Sequence, residues 1–480
     1  MKTKTYNMIA ILFAMLCLLF TSCGEWLDVN TDPNSPSDAE MAENIYLPGI
    51  EAQVAYELSG GFTARYPNYW MLQVGRDAAA PDFGTYDIDE SDVNNTWTYT
   101  VYTAALKNAV KLTSLAEENG NYYYEGISKV ITAYILSITT DCWGDIPWSQ
   151  AFQPETYPFP VFDSQESIYN AIFSLLDEAI ANFNLPAEGQ SIRPSGEDYI
   201  YGGDIDMWKK CAYTLKARYA MRLTYAPGKT GAAQADIALA LLANGLGSND
   251  ENPGVAFGSE TGSEAPWNQW HVKWETVNIW ANEYMINMMN ARNDPRRGVY
   301  FTQTITGEYR GHRTGNILMT DKYDSTSHFS ESITAPDQVV YFITYDEAKT
   351  LEAEAYLWKG EYENAREALH EAITANMTRL GIDPSEIDAY IAGLGDLPAD
   401  FEAAQQMVIE EKYVLNFLST EIWNDYRRTG YPPLSAADID NPTYNNIPLR
   451  FMYAADVKQN NPLNEPDVNW LTDPVWWDKK

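Results

Sequence analysis

Histidine, cysteine and positive charge are scarce in this 480-residue chain. It holds four histidines (His271, His312, His328, His370) and four cysteines (Cys17, Cys23, Cys142, Cys211). None of them falls in a C-x-x-C or H-E-x-x-H spacing, so no metal site is expected. Lys and Arg number 32 against 67 Asp and Glu, a formal net charge of −35. An acidic excess of that size repels phosphate backbones and excludes nucleic acid as a partner. Beyond residue 20 no apolar run approaches the roughly 20 residues that a bilayer-spanning helix needs. The G-x-S-x-G elbow, the phosphate loop and the dinucleotide fingerprint are all missing, so no catalytic residue and no cofactor is expected. Carboxylates are abundant, yet no short segment isolates two of them against an apolar wall as a glycosidase pair requires. Asp87, Asp89 and Asp92 alternate as calcium ligands do, but the glycine and terminal glutamate of a known calcium loop are absent.

What is present begins at the N-terminus. Lys2 and Lys4 precede the apolar run 8–20 (MIAILFAMLCLLF), which leads directly into Thr21-Ser22-Cys23. That order is a positive start, an apolar stretch too short to span a bilayer, and a small-residue cleavage site. Cys23 sits where cleavage would leave it first, the arrangement of a bacterial lipoprotein signal. The alternative is an ordinary secretory signal with a chance cysteine, and under either reading the mature chain leaves the cytoplasm. Residues 1–22 are therefore read as signal peptide, Cys23 as the lipidation site, 23–48 as a turn-rich tether and 49–480 as one folded domain. Only Cys142 and Cys211 then remain as thiols. The compartment permits a disulfide between them, and two buried free thiols fit equally well.

Hydrophobic residues make up 45% and aromatics 13% of the chain, which rules out disorder as the explanation of the charge. Three- and four-residue apolar spacing predicts helices over 98–118, 124–139, 164–183 and 207–225. The pattern sharpens over 345–359 and 361–377, where small and large residues face each other across Gly360 as in a tetratricopeptide hairpin. Such hairpins bury their faces only by stacking. The expected fold is all-α: a single mostly helical domain of stacked tetratricopeptide-like pairs, interrupted by long irregular loops at 67–95, 152–162, 186–200, 245–280 and 302–336. Long loops in a compact domain are where binding is expected.

Fifteen tryptophans and thirty-three tyrosines are the second message. Flat aromatic faces stack on the C–H faces of sugar rings while carboxylates, amides and arginine bond the hydroxyls. Most of these rings fall on helix core faces. The loop aromatics are different: Trp70, followed by Arg76, Asp77 and Tyr86, mixes stacking and polar groups in one segment. Trp267, Trp270 and Trp274 lie in a second, where they form either a binding loop or an amphipathic helical stripe. Trp97, just after the first loop, is either a core anchor or the edge of a site. The candidate glycan contacts are Trp70, Arg76, Asp77, Tyr86, Trp97, Trp270 and Trp274.

Taken together, several segments resemble one family, the SusD/RagB-like outer-membrane lipoproteins of Bacteroidetes, in their second SusD-like subgroup. The likeness runs through 23–36 (CGEWLDVNTDPNSP), 142–148 (CWGDIPW), 198–222 (DYIYGGDIDMWKKCAYTLKARYAMR), Asp294-Pro295-Arg296, 345–348 with Glu354-Ala355, 423–432 (WNDYRRTGYP) and 447–450 (IPLR). It implies a helical body with tetratricopeptide-like pairs that forms a lid on a SusC-like TonB-dependent outer-membrane transporter. It also implies a cell-surface, lipid-anchored protein that captures oligosaccharides and delivers them to that channel. Peptides are the alternative cargo; a surface glycosidase and a pure scaffold are more distant ones. Ligand residues differ among members, so none is carried over by motif. The Gly144-Asp145-Ile146-Pro147 turn and Arg427-Arg428 read as fold determinants.

Overall fold

The computed structural model of the chain describes residues 42–76, 80–273, 279–316 and 323–479. The signal segment, Cys23 and the tether as far as residue 41 lie outside them, as do Asp77 and Trp274. The helical body starts earlier than expected. Helix α1 (Glu43–Gln53) runs through Pro48, and its Leu47 and Ile50 are buried. Proline inside the segment masks the apolar spacing that a tertiary partner rewards, so the tether cannot extend to residue 48.

The π-helical stretch Val54–Ser59 leads into α2 (Phe62–Trp70) and the short strand β1 (Val74–Arg76). A longer π-helix, Asn95–Leu106, continues directly into α3 (Lys107–Asn119). Next come α4 (Tyr122–Trp143), α5 (Gln165–Phe183), α6 (Ile205–Arg222) and α7 (Gly231–Leu242). Side-chain caps fix their starts: Ser164 accepts from the Ser167 N–H, and Asp204 from those of Asp206 and Met207. Strands β2 (Gly254–Ala256) and β3 (Ile279–Ala281), helix α8 (Glu283–Ala291) and strand β4 (Val339–Tyr341) follow. The C-terminal helices are α9 (Tyr345–Trp358), α10 (Tyr362–Arg379), α11 (Pro384–Leu394), α12 (Phe401–Leu415) and α13 (Glu421–Thr429).

Helices α3 to α7 pack each on the next, α7 packs on α9, and α9 on α10. This is the expected helical stack. Its small-against-large logic is visible at Gly231, where a Cβ would lie 2.2 Å from the Trp358 ring. One apolar core runs through most of the body, and a smaller one lies among α9 to α12 around Leu357, Ile373, Tyr390 and Val408. Two of the expected loops contain strands instead. β1 pairs antiparallel with β3, and β2 with β4, in three-residue registers more than 80 positions apart in sequence.

Beneath the stack lies a buried ionic lattice. Arg218 holds Glu347 through two bonds of 2.8 and 2.6 Å. Arg222 bonds Asp141 at 2.9 Å and also Glu421. Arg428 bonds Glu354 at 2.5 and 2.7 Å and Asp425 at 2.9 Å, while Lys412 approaches Asp425 at 2.9 Å. Arg427 donates to the Asp141 and Leu449 carbonyls and lies 3.6 Å over the Trp423 ring. These side chains tie α4, α6, α9, α12 and α13 together, so the Arg427-Arg428 pair serves the fold. Cys142 and Cys211 are free and buried. Burial raises both thiols, Cys211 to about 12.

Candidate functional site

The short ribbon gathers what the sequence left apart. Arg76, the last residue of β1, pairs with Ile279, the first of β3. Arg76 is half-buried, its guanidinium 5.0 Å above the Phe83 ring. Trp270 sits on the π-helical stretch Gln269–Lys273, half-buried, with the Arg65 guanidinium of α2 3.8 Å from its ring centre. That segment is docked by a hydrogen bond of 2.8 Å from the Tyr56 hydroxyl to Gln269. Residues 266–273 are helical, with Trp267 buried and Trp270 half-buried. Burial, helped by neighbouring His328, lowers the His271 imidazole to about 4 and keeps it neutral at physiological pH.

Two candidates are corrected by the structure. Trp70 is fully buried, its ring meeting Trp423 and Phe451 edge-on at 5.3 Å and its indole N–H donating to the Phe83 carbonyl at 3.1 Å. The supposed loop is helix α2 up to this residue, and Thr63, Tyr66 and Trp70 share its inner face. Tyr86 is likewise enclosed, in a left-handed conformation with φ of 67°, and burial raises its phenol. Neither ring can meet a ligand arriving from solvent. Asp89 and Asp92 serve their own turn, accepting from Ser91 and from the Asp89 N–H. Among the described residues no group of three His, Cys, Asp or Glu side chains converges as a metal site.

Trp97 borders an open cavity. A groove of about 250 Å³ is lined by Trp97, Tyr102, Phe152 and Phe162, with Asp456, Asn460 and Asn461 supplying polar groups. Trp97 stacks on Phe162 at 6.0 Å with ring planes 12° apart, and meets Trp143 and Tyr453 edge-on. It is thus both core anchor and groove floor. Trp97 and Tyr102 both lie on the π-helix Asn95–Leu106, a geometry common at functional sites because the wider turn re-aims side chains. The Thr98 hydroxyl donates to Asp456 at 2.9 Å, and the Asn461 amide to the Pro160 carbonyl at 2.7 Å. Tyr99 and Phe159, chain neighbours of the lining residues, are exposed. Sequence reasoning missed Phe152, Phe162 and the two asparagines. The aromatic content of 152–162 was the available signal, but Asn460 and Asn461 arrive from 300 positions away.

A family model described as "Starch-binding associating with outer membrane", of the second SusD-like group, matches residues 39–454. The chain belongs to the SusD-like family. Similar solved structures agree. A chitin-binding protein superposes with a TM-score of 0.78 at 23% identity, over 91% of this chain and 100% of that one. A SusD/RagB family protein from Bacteroides thetaiotaomicron gives 0.73 at 25% identity, over 91% and 99%. A SusD homolog from Bacteroides uniformis gives 0.73 at 21%, also over 91% and 99%. No curated protein matches the chain. The SusD-like family is one of nutrient-binding proteins associated with the outer membrane. Among the described residues of this SusD-like chain no helix is long and apolar enough to cross a membrane.

Proposed function

We propose that this SusD-like protein is a non-enzymatic cell-surface lipoprotein that captures oligosaccharides and passes them to a SusC-like TonB-dependent transporter. Lipid on Cys23 would hold it to the outer membrane. The observation that carries the cargo assignment is the groove at Trp97, where four aromatic rings and an amide-carboxylate rim face one open space. Sugar rings present apolar faces to such aromatics and hydroxyls to Asn and Asp. The ribbon end, with Arg76 and the Arg65-backed Trp270, offers a second contact surface.

Affinity electrophoresis and calorimetry against a glycan panel test the reading. Trp97→Ala should weaken binding about tenfold, and Trp270→Ala severalfold, since a well-placed aromatic face contributes on the order of 1 kcal/mol beyond the area it buries. Unchanged binding in both variants would reject the site. Peptides recovered from the natively purified protein, with no glycan bound, would reassign the cargo. Glycan hydrolysis by the purified protein would overturn the non-enzymatic reading.

A further inference from the structure

Two buried carboxyl groups on helix α1 are held in contrasting ways. Glu43, 2% exposed, accepts from the side-chain amides of Asn119 at 2.9 Å and Asn121 at 2.6 Å. Glu51, 0% exposed, has a single donor, the Tyr199 N–H, which reaches its Oε2 at 2.8 Å. Its Oε1 is equally enclosed and accepts nothing. A carboxylate so placed would hold its charge out of water with one oxygen unmet, a state that native interiors avoid.

No counter-charge replaces the missing donor. The Asp198 carboxylate stands within hydrogen-bond reach of Glu51, and Glu197 adds a second negative charge beside it. Asp198 accepts from the N–H groups of Ile200 and Tyr201 at 3.0 Å, from that of Gly203 at 2.9 Å and from the Trp208 indole at 2.7 Å. Four donors fix it as the ionised member of the pair. Glu197 is held by the Tyr124 hydroxyl of α4 and, at 2.6 Å, by the Ser195 hydroxyl.

The other elements around α1 bring no cation to Glu51. The π-helical stretches Val54–Ser59 and Asn95–Leu106 carry Tyr56, Glu57, Tyr99 and Tyr102 as their ionisable groups. On α3, Lys107, Lys111, Glu117 and Glu118 are exposed, as is Arg193 ahead of the turn. On α4, Lys129 is engaged by Glu125 and Glu178. Two carboxyl groups in contact cannot both ionise, and the one with fewer donors keeps the proton. Burial first, and Asp198 second, raise Glu51 well above the usual carboxylate range.

We propose that Glu51 is a carboxylic acid in the folded protein, that it shares one proton with Asp198, and that this proton latches α1 to the 197–204 turn. The folded state holds the proton more tightly than the unfolded chain. The latch is therefore complete at acidic pH and is lost as pH rises through the titration of folded Glu51. It is independent of the glycan assignment, and either can fail without the other.

Hydrogen exchange of the full chain between pH 5 and 9, corrected for intrinsic rates and referred to α10, tests the latch. Opening of α1 should grow about tenfold per pH unit once Glu51 ionises, while α10 stays level. In Glu51→Gln the new amide can donate where the proton did and its carbonyl can accept from Tyr199, so α1 should stay protected at every pH. Infrared spectra at pH 7 should show a protonated-carboxyl band in the unaltered protein that Glu51→Gln lacks. A level α1 profile in the unaltered protein would overturn the proposal, and that measurement needs no variant to fold. So would an unchanged pH dependence in Glu51→Gln, the same infrared band in both proteins, or restored α1 protection at pH 9 on adding calcium, which would put a metal ion in the proton's place.

Discussion

Single residues in this protein carry unusual electrostatic weight because so many charges are buried. Arg428 and Glu354 are each about 1% exposed, and a lone charge at such depth is far more destabilising than a matched pair. Arg428→Met should therefore cost about 3–5 kcal/mol in denaturant unfolding, and adding Glu354→Leu should recover part of that loss. Asp425 and Asp478 show opposite pH behaviour. Burial pushes Asp425 upward, but Lys412 and Arg428 outweigh it and hold the carboxyl down at about 2. Its contribution to stability is present above the ordinary carboxylate range and is lost as pH falls toward 2. Asp478 is pushed up to about 6 by burial, only partly offset by Arg427. The folded state then holds that proton more tightly than the unfolded chain, so stability is lost as pH rises from about 4 through 6. Asp478→Asn should raise stability at pH 7.5 by about 1–3 kcal/mol, seen as a higher Tm, and change little at pH 3.5. Thermal unfolding at the two pH values checks both the sign and the window.

At the scale of elements, legibility depended on whether the cause was local. Helices with regular apolar spacing and a capping residue, such as α5 behind Ser164 and α6 behind Asp204, could be read directly, because periodicity and caps act within a few residues. The turn before α6 shows how tightly such a feature is specified. Asp198 accepts from the N–H groups of Ile200, Tyr201 and Gly203 and from the Trp208 indole. Gly203 has φ of +86°, and a Cβ there would lie 2.2 Å from the Pro194 carbonyl oxygen. Gly203→Ala should cost at least ~1–2 kcal/mol from backbone conformation alone, with more from the clash, measured by chemical denaturation. The β1–β3 and β2–β4 ribbons could not be read. Three residues per strand carry no usable alternation, and their partners lie far along the chain. Trp70 was misassigned for a related reason: Pro67 suggests a loop, yet α2 continues through it because its inner face meets Trp423 and Phe451.

For the whole molecule, the address and the cargo rest on different kinds of information. The N-terminal lipoprotein pattern predicts that Cys23→Ser abolishes lipid labelling and moves the protein from the membrane pellet to the soluble fraction. An unchanged pellet fraction would instead point to attachment through a partner. The helical body, the acidic surface and the absence of catalytic fingerprints were all set by composition and short-range pattern, and the ordered motifs pointed to the SusD-like family. Those motifs turn out to meet in the buried lattice: Asp141, Arg218, Arg222, Glu347, Glu354, Arg427 and Arg428 stand in or beside the segments that carried the resemblance. The sequence by itself thus determined the helix stack and the family, because each is written in neighbouring residues. Only the tertiary structure decided which aromatics face solvent. Trp70, Tyr86 and Trp97 have the same chemistry in the chain, and what separates them is whether distant segments, Phe451 in one case and Asn460 with Asn461 in another, close over the ring or leave a groove beside it.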